Sequence, residues 1–293
     1  LPLTLIFIGN LGQVIGADLP TFNPDSAWSN LIRQYQFGPR SPGSKGHSAC
    51  RVWLIEELRR RGGEVFIQDF FHQGDGGERK VQLTNIVARW GTGGAPLMLA
   101  AHWDTRPWAD KDPNPSQRDK PILGANDGAS GVAVLLEVAR LLNLHPPPRT
   151  IFIALWDGED LGQEGHLDQY CLGSRYWVQN PMPEMPQEMI LVDMVGDADL
   201  RLPWEFFSYR NAPQLCQKLW DRAQRLDLPA FKDEIGEAVY DDHIPFIEQK
   251  IPAINIVDFD YPYWHTTEDT PDKCSPESLT QVGRLLIHYI YQP

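Results

Sequence analysis

Apolar residues along this chain fall into two kinds of run. Some are short, continuous and rich in Val, Ile, Leu and Trp. Others repeat at helical spacing between capping and breaking residues. The continuous runs predict strands at Glu64–Phe70, Leu83–Trp90, Pro96–Trp103, Thr150–Trp156, Met189–Val195 and Ile251–Val257. Between them the pattern predicts helices. One is capped by Asp25 and runs to about Gln36. A second opens at Ser44, carries Leu54, Ile55 and Leu58 on one face and stops at Gly62-Gly63. Val132–Leu142 is apolar on most faces and predicts a buried helix. Further helices are expected around Ser174–Val178, over Ala212–Leu226, and from Ser275, with Pro276 at the first position, to about Tyr291. Gly74–Gly77 and Gly91–Gly94 suit hairpin turns, not phosphate loops, because no helix follows directly. The polar, Pro-rich stretch from Asp104 to about Gly124 is a long loop, and loops of that length are usually functional. Strands and helices alternate, and no linker splits the chain. The expected fold is α/β: a single three-layer α/β/α domain with a central mixed, mostly parallel sheet.

Four strands run into acids or a histidine. Pro96–Trp103 ends in His102-Trp-Asp104, and Met189–Val192 leads into Asp193. Ile251–Val257 leads through Asp258 to His265, and Thr150–Trp156 stops at Asp157-Gly-Glu159-Asp160. The last is the most informative stretch. A buried strand delivers two adjacent carboxylates to its carboxyl end, where open α/β sheets build their sites. Neighbours on extended backbone point different ways, so one can bind a metal while the other meets substrate as a proton carrier. Asp127, just before the buried helix, adds a fifth placement, although alone it would suit a helix cap. Carboxylates converging at one sheet edge repel unless a cation joins them. Mixed Asp, Glu and His donors suit zinc with one position left open.

The matching segments are Phe37-Gly-Pro-Arg-Ser-Pro-Gly43, Ala101-His-Trp-Asp-Thr105, Gly124-Ala-Asn-Asp-Gly-Ala-Ser130, Asp157-Gly-Glu-Asp160, Gly173-Ser-Arg175, Leu191-Val-Asp193, Asp241-Asp-His-Ile-Pro-Phe246 and Trp264-His-Thr266. On these the chain resembles the co-catalytic zinc aminopeptidase superfamily and, within it, the glutaminyl cyclases. The resemblance implies a single zinc held by Asp127, Asp160 and His265, with Glu159 as proton shuttle. It implies that Asp193 and Asp241 form an acidic hydrogen-bonding network around Glu159. Trp264 would wall the pocket for the glutamine side chain; a Trp packed over a helix is the alternative. The substrate implied is a peptide with amino-terminal glutamine, released as pyroglutamate with ammonia. A two-zinc aminopeptidase is the other enzyme reading, with His102 and Asp193 on a second zinc and Asp127 bridging. A scaffold protein on a dead enzyme fold is the third.

The chain departs from the animal cyclases at four places. Asp160 stands for a Glu. Gly165 stands for a pocket Trp. Asn255 stands for a late-strand His, and Ala101 for a Cys, which removes their disulfide beside the site.

Charge and composition narrow the partners. With 293 residues the chain can bury a full core, and 42% hydrophobic against 22% charged residues is ordinary for a globular protein. Its net charge of −13 repels nucleic acid and anionic lipid, and favours a cationic group such as a peptide amino terminus. There is no Gly-x-Ser-x-Gly elbow to suggest a serine hydrolase. Cys50, Cys171, Cys216 and Cys274 are widely spaced, which leaves room for one disulfide but names no pair. Residues 1–19, apolar as far as Ala17, resemble the end of a secretory signal, and 20–293 form the catalytic domain. The expectation is a secreted or periplasmic monomer with no membrane span.

Overall fold

The computed structural model describes residues 19–73 and 80–292. A six-stranded mixed sheet forms the centre. In chain order its strands are β1 (Glu64–Gln73), β2 (Lys80–Trp90), β3 (Leu97–His102), β4 (Ile151–Trp156), β5 (Glu188–Asp193) and, last in the chain, β8 (Ala253–Val257). Their spatial order is β1-β2-β4-β3-β5-β8. β2 pairs antiparallel with β1 and with β4, whereas β4, β3, β5 and β8 are mutually parallel. The expected mixed, mostly parallel sheet is therefore present. Because those four strands are parallel, their carboxyl ends share one edge: His102 lies opposite Trp156, and Asp193 opposite Val257.

Side chains alternate across the sheet, so each strand feeds two cores. Leu97, Leu99, Ala101, Ile153, Ile190 and Ile254 face one layer. Against it pack α1 (Pro24–Tyr35), α2 (Lys45–Arg60), α3 (Ala129–Leu144), α6 (Pro213–Arg225) and α8 (Pro276–Tyr291). Met98, Ala100, Phe152, Ala154 and Leu191 face the other layer, where Trp177 of α4 (Leu172–Gln179) and Phe246 of α7 (Ile244–Glu248) cover them. The short α5 (Phe206–Asn211) and a two-stranded sheet of β6 (Leu202–Trp204) with β7 (Phe231–Ile235) complete the domain. The sequence pattern shows none of these last elements, because runs of three to six residues carry too little periodicity.

Local differences from expectation have physical causes. Asn23, not Asp25, caps α1: its side chain accepts from Ser26 N–H, and Pro24, with φ already fixed, starts the helix. Gly91–Gly94 is not a hairpin turn, since β4 lies between β2 and β3. The glycines instead carry the chain over the start of β4. Gly91 takes φ 69°, and a Cβ there would fall 2.8 Å from Arg149 O, while Thr150 N–H donates to Gly93 O at 2.8 Å. β5 ends at Asp193, short of Val195, because Met194 turns to φ 46°. Gly74–Gly77 and residues 1–18 of the expected signal segment lie outside the described residues. All four cysteines are buried free thiols, so the possible disulfide is absent. No helix among the described residues is long and apolar enough to cross a membrane.

Candidate metal centre

The parallel edge gathers the acids that the sequence singled out. His102 is the last residue of β3. Its Nε2 stands 3.2 Å from Asp127 Oδ1 and 3.1 Å from Asp193 Oδ1. His265 lies in the loop after β8. Its Nε2 stands 3.3 Å from Asp160 Oδ1 and 3.7 Å from Asp127 Oδ2. Donor atoms of Asp127, Asp160 and His265 all lie within 4.8 Å of one another, and so do those of His102, Asp127 and Asp193. Asp127 belongs to both groups. It is not a cap: α3 begins after Gly128 and has no side-chain cap. Gly128 takes φ 90°, and a Cβ there would press within 3.0 Å of the His102 ring, so only glycine lets Asp127 sit this close.

Loops are clamped to hold this geometry. Buried Arg40, from the Pro-Arg-Ser segment, donates to the carbonyls of Trp103, Leu123 and Gly124 and so closes the long loop after β3. Asp104 accepts from the backbone N–H groups of Glu159 and Asp160, setting the acid pair. Asp269 accepts from Asn126 and Asp127 N–H at 2.8 and 3.1 Å. Arg106, 1% exposed, donates to Asp160 Oδ1 at 2.8 Å and forks onto Asp110, whose Oδ1 faces His265 Nδ1 at 3.4 Å. His265 itself sits at φ 54°, a left-handed conformation that costs a non-glycine residue energy and clusters at functional sites. Arg106, Asp110 and Asp269 were not foreseen. They act across loops; the length of the Asp104–Gly124 loop points to Arg106 and Asp110, and nothing in the pattern points to Asp269.

Burial sets the electrostatics. It pushes the Glu159 carboxyl well above its ordinary range, helped by the charges of Asp241 and Asp160. Burial and the Asp193 charge lift Asp241 to about 7. Burial opposes protonation of His265, yet the carboxylates of Asp160 and Asp110 raise it to about 9. Asp241 Oδ2 accepts from Asn255 Nδ2 at 2.6 Å, so the asparagine supplies a donor to the acidic group.

The residues fit a metal ion. Asp160 Oδ2 is buried and has no hydrogen-bond partner among the described residues. It faces a set of oxygen and imidazole donors of the kind zinc takes. Beside it is a cavity of about 220 Å³, lined by Glu159, Leu167, Tyr170, Tyr240, Phe259 and Trp264. That is small against the pockets that hold drug-sized ligands, and it suits a single side chain. Trp264 stacks on the His265 ring at 3.8 Å between centroids and meets Phe259 in a tilted pair at 4.9 Å, so it walls the cavity and packs at once. Gly165 leaves its side open, with nothing within 4 Å of a would-be Cβ. A larger hollow of about 480 Å³ over Asp197 and Asp272 receives no such donor triad from the described residues.

The chain also resembles known proteins in sequence and in structure. The profile of peptidase family M28 matches residues 85–290. The glutaminyl cyclase of Bacteroides thetaiotaomicron, solved with N-acetylhistamine, superposes with TM-score 0.89 at 36% identity, covering 94% of this chain and 100% of that one. A structure described as a Zn-dependent exopeptidase from Parabacteroides distasonis gives TM-score 0.90 at 34% identity, covering 94% and 100%. In sequence, the glutaminyl-peptide cyclotransferase-like protein of Mus musculus is 26% identical, over 92% of this chain and 75% of its own.

Proposed function

The chain belongs to peptidase family M28, within its glutaminyl cyclase branch, and on that premise we propose that it converts the amino-terminal glutamine of peptides to pyroglutamate. One observation carries the reading. Glu159 stands in a small cavity against the Asp127, Asp160 and His265 donor set, in a chain 36% identical to a glutaminyl cyclase over nearly its whole length.

The roles follow from position. Asp127, Asp160 and His265 would hold one zinc. When bound, zinc supplies Lewis acidity toward the substrate's γ-carboxamide oxygen. The cavity walled by Trp264 and Phe259 holds the glutamine side chain so that its own α-amine faces the carboxamide carbon. The nucleophile is intramolecular, and the protein's task is orientation. Glu159 takes the proton from the attacking amine and returns it to the departing nitrogen. The bond from the α-nitrogen to the carbonyl carbon forms, the bond to the side-chain nitrogen breaks, and ammonia leaves. Asp193 and Asp241 stabilise the protonated groups around Glu159, His102 among them.

The group of His102, Asp127 and Asp193 favours a second reading, an aminopeptidase with two zincs. Mass spectrometry of a Gln-Phe-Ala peptide, with metal analysis of the protein, separates the two. The cyclase yields a product 17 Da lighter by loss of ammonia, with one zinc per chain; the peptidase releases free glutamine. The net charge of −13 supports a monomer that approaches peptide amino termini and avoids nucleic acid. The apolar start of the chain supports an exported protein, secreted or periplasmic, made of a signal segment to residue 19 and one catalytic domain over 20–293.

A further inference from the structure

We propose that Cys171 is a positioning residue for Glu159: its buried thiol donates a hydrogen bond to the Glu159 carboxylate and fixes the orientation from which that group meets the substrate amine. The inference rests on the reading of Glu159 as proton carrier.

Cys171 Sγ lies 3.4 Å from Glu159 Oε1. Among the described residues no other side chain donates to that carboxylate. The two backbones are tied as well: Cys171 N–H donates to Glu159 O at 3.0 Å, and Leu172 N–H to Gly158 O at 3.1 Å. The backbone of Cys171 is therefore held beside the acid its thiol faces.

The backbone at Cys171 makes the side chain informative. It is left-handed, at φ 55° and ψ 36°, where any Cβ costs energy and glycine does not. A glycine would keep every backbone hydrogen bond there. Strain held at a buried residue beside a reacting group points to a use for the side chain.

The alternative is a cysteine that merely fills space, as buried cysteines commonly do among apolar neighbours. Here the neighbours are acids. Donor atoms of Glu159, Cys171 and Asp241 lie within 4.8 Å of one another. Burial, with the charges of Glu159, Asp242 and Asp241, pushes the thiol well above its ordinary pKa. The sulfur stays protonated, a donor and not a nucleophile.

The test uses the full-length, zinc-loaded protein acting on a Gln-Phe peptide amide. For C171A and C171G, kcat should fall about five- to twentyfold, the scale of one hydrogen bond made in the transition state. KM and zinc content should stay near wild type. C171S keeps a donor and should recover most of the rate. In an E159Q background, C171A should cost nothing more. Wild-type kcat in C171A or C171G would overturn the proposal. So would equal losses in all three variants, which would show packing, or loss of zinc in C171A. An E159Q enzyme with normal turnover would remove the premise, whereas a dead E159Q beside an unaffected C171G removes only the role of Cys171. C171G relieves the strain, so it keeps the test open if C171A folds poorly.

Discussion

Arg106 Nη1 stands 2.8 Å from Asp160 Oδ1, so a buried cation already occupies one oxygen of a carboxylate whose other oxygen has no partner among the described residues. The guanidinium fork also grips Asp110, and Asp110 in turn faces His265. One arginine thereby orients two of the three donors. R106M should lower zinc affinity by about 10–100-fold, the usual cost of losing a group that orients metal ligands. R106K keeps the charge without the fork and should fall between. Competition with a fluorescent chelator measures this, and unchanged affinity in R106M would refute it.

Glu159 and Asp160 are neighbours with different expected losses. E159Q should keep its zinc and lose about 10²–10⁴-fold in kcat, because an amide cannot accept the amine proton. D160N should lose zinc first and activity with it. Plasma mass spectrometry beside steady-state kinetics tells them apart. Near-normal turnover in E159Q would end its assignment as proton carrier.

His102 decides the number of metals. It contacts Asp127 and Asp193 but belongs to neither Asp160 nor His265. In a one-zinc cyclase, H102A should retain one zinc and a measurable rate, down about 10–100-fold through disorder of Asp127. A wild-type protein with two zincs that drops to one on this substitution would establish the aminopeptidase.

Asp258, 2% exposed after β8, is pushed up by burial to about 7 while it accepts from Arg201 N–H. Its folded pKa is raised, so the folded state favours the protonated acid. That stability is complete below about pH 4, fades as pH rises through 7, and is then gone. D258N resembles the protonated acid. Its advantage over wild type in urea unfolding should grow from near zero at pH 4 to about 1–4 kcal/mol at pH 8. A difference flat in pH would contradict the shift.

What the sequence disclosed divides by range. His102, Glu159, Asp160 and Asp193 were legible because each ends a continuous apolar run, and parallel strands must align such ends. Asp127 was ambiguous, since an acid before a helix has a local use; only its distances to two histidines settle where it points. Arg106, Asp110 and Asp269 were not legible, because the groups they orient, Asp160, His265 and the Asn126–Asp127 backbone, lie on other segments and follow no period. Gly91–Gly94 misled for a related reason. Glycine chemistry states that the chain can turn, not that β4 will enter the space beside β2.

The position of His265 along the chain has a consequence for biosynthesis. Chains emerge from the ribosome amino end first, and domains fold as units. Asp127 and Asp160 are made early, but the imidazole placed beside them follows β8, the edge strand next to β5. A nascent chain short of that point holds the two carboxylates of the proposed zinc set without its histidine. On the proposed one-zinc reading, such a chain would not yet hold its catalytic metal, and competence would arrive only when β8 docks and His265 follows it.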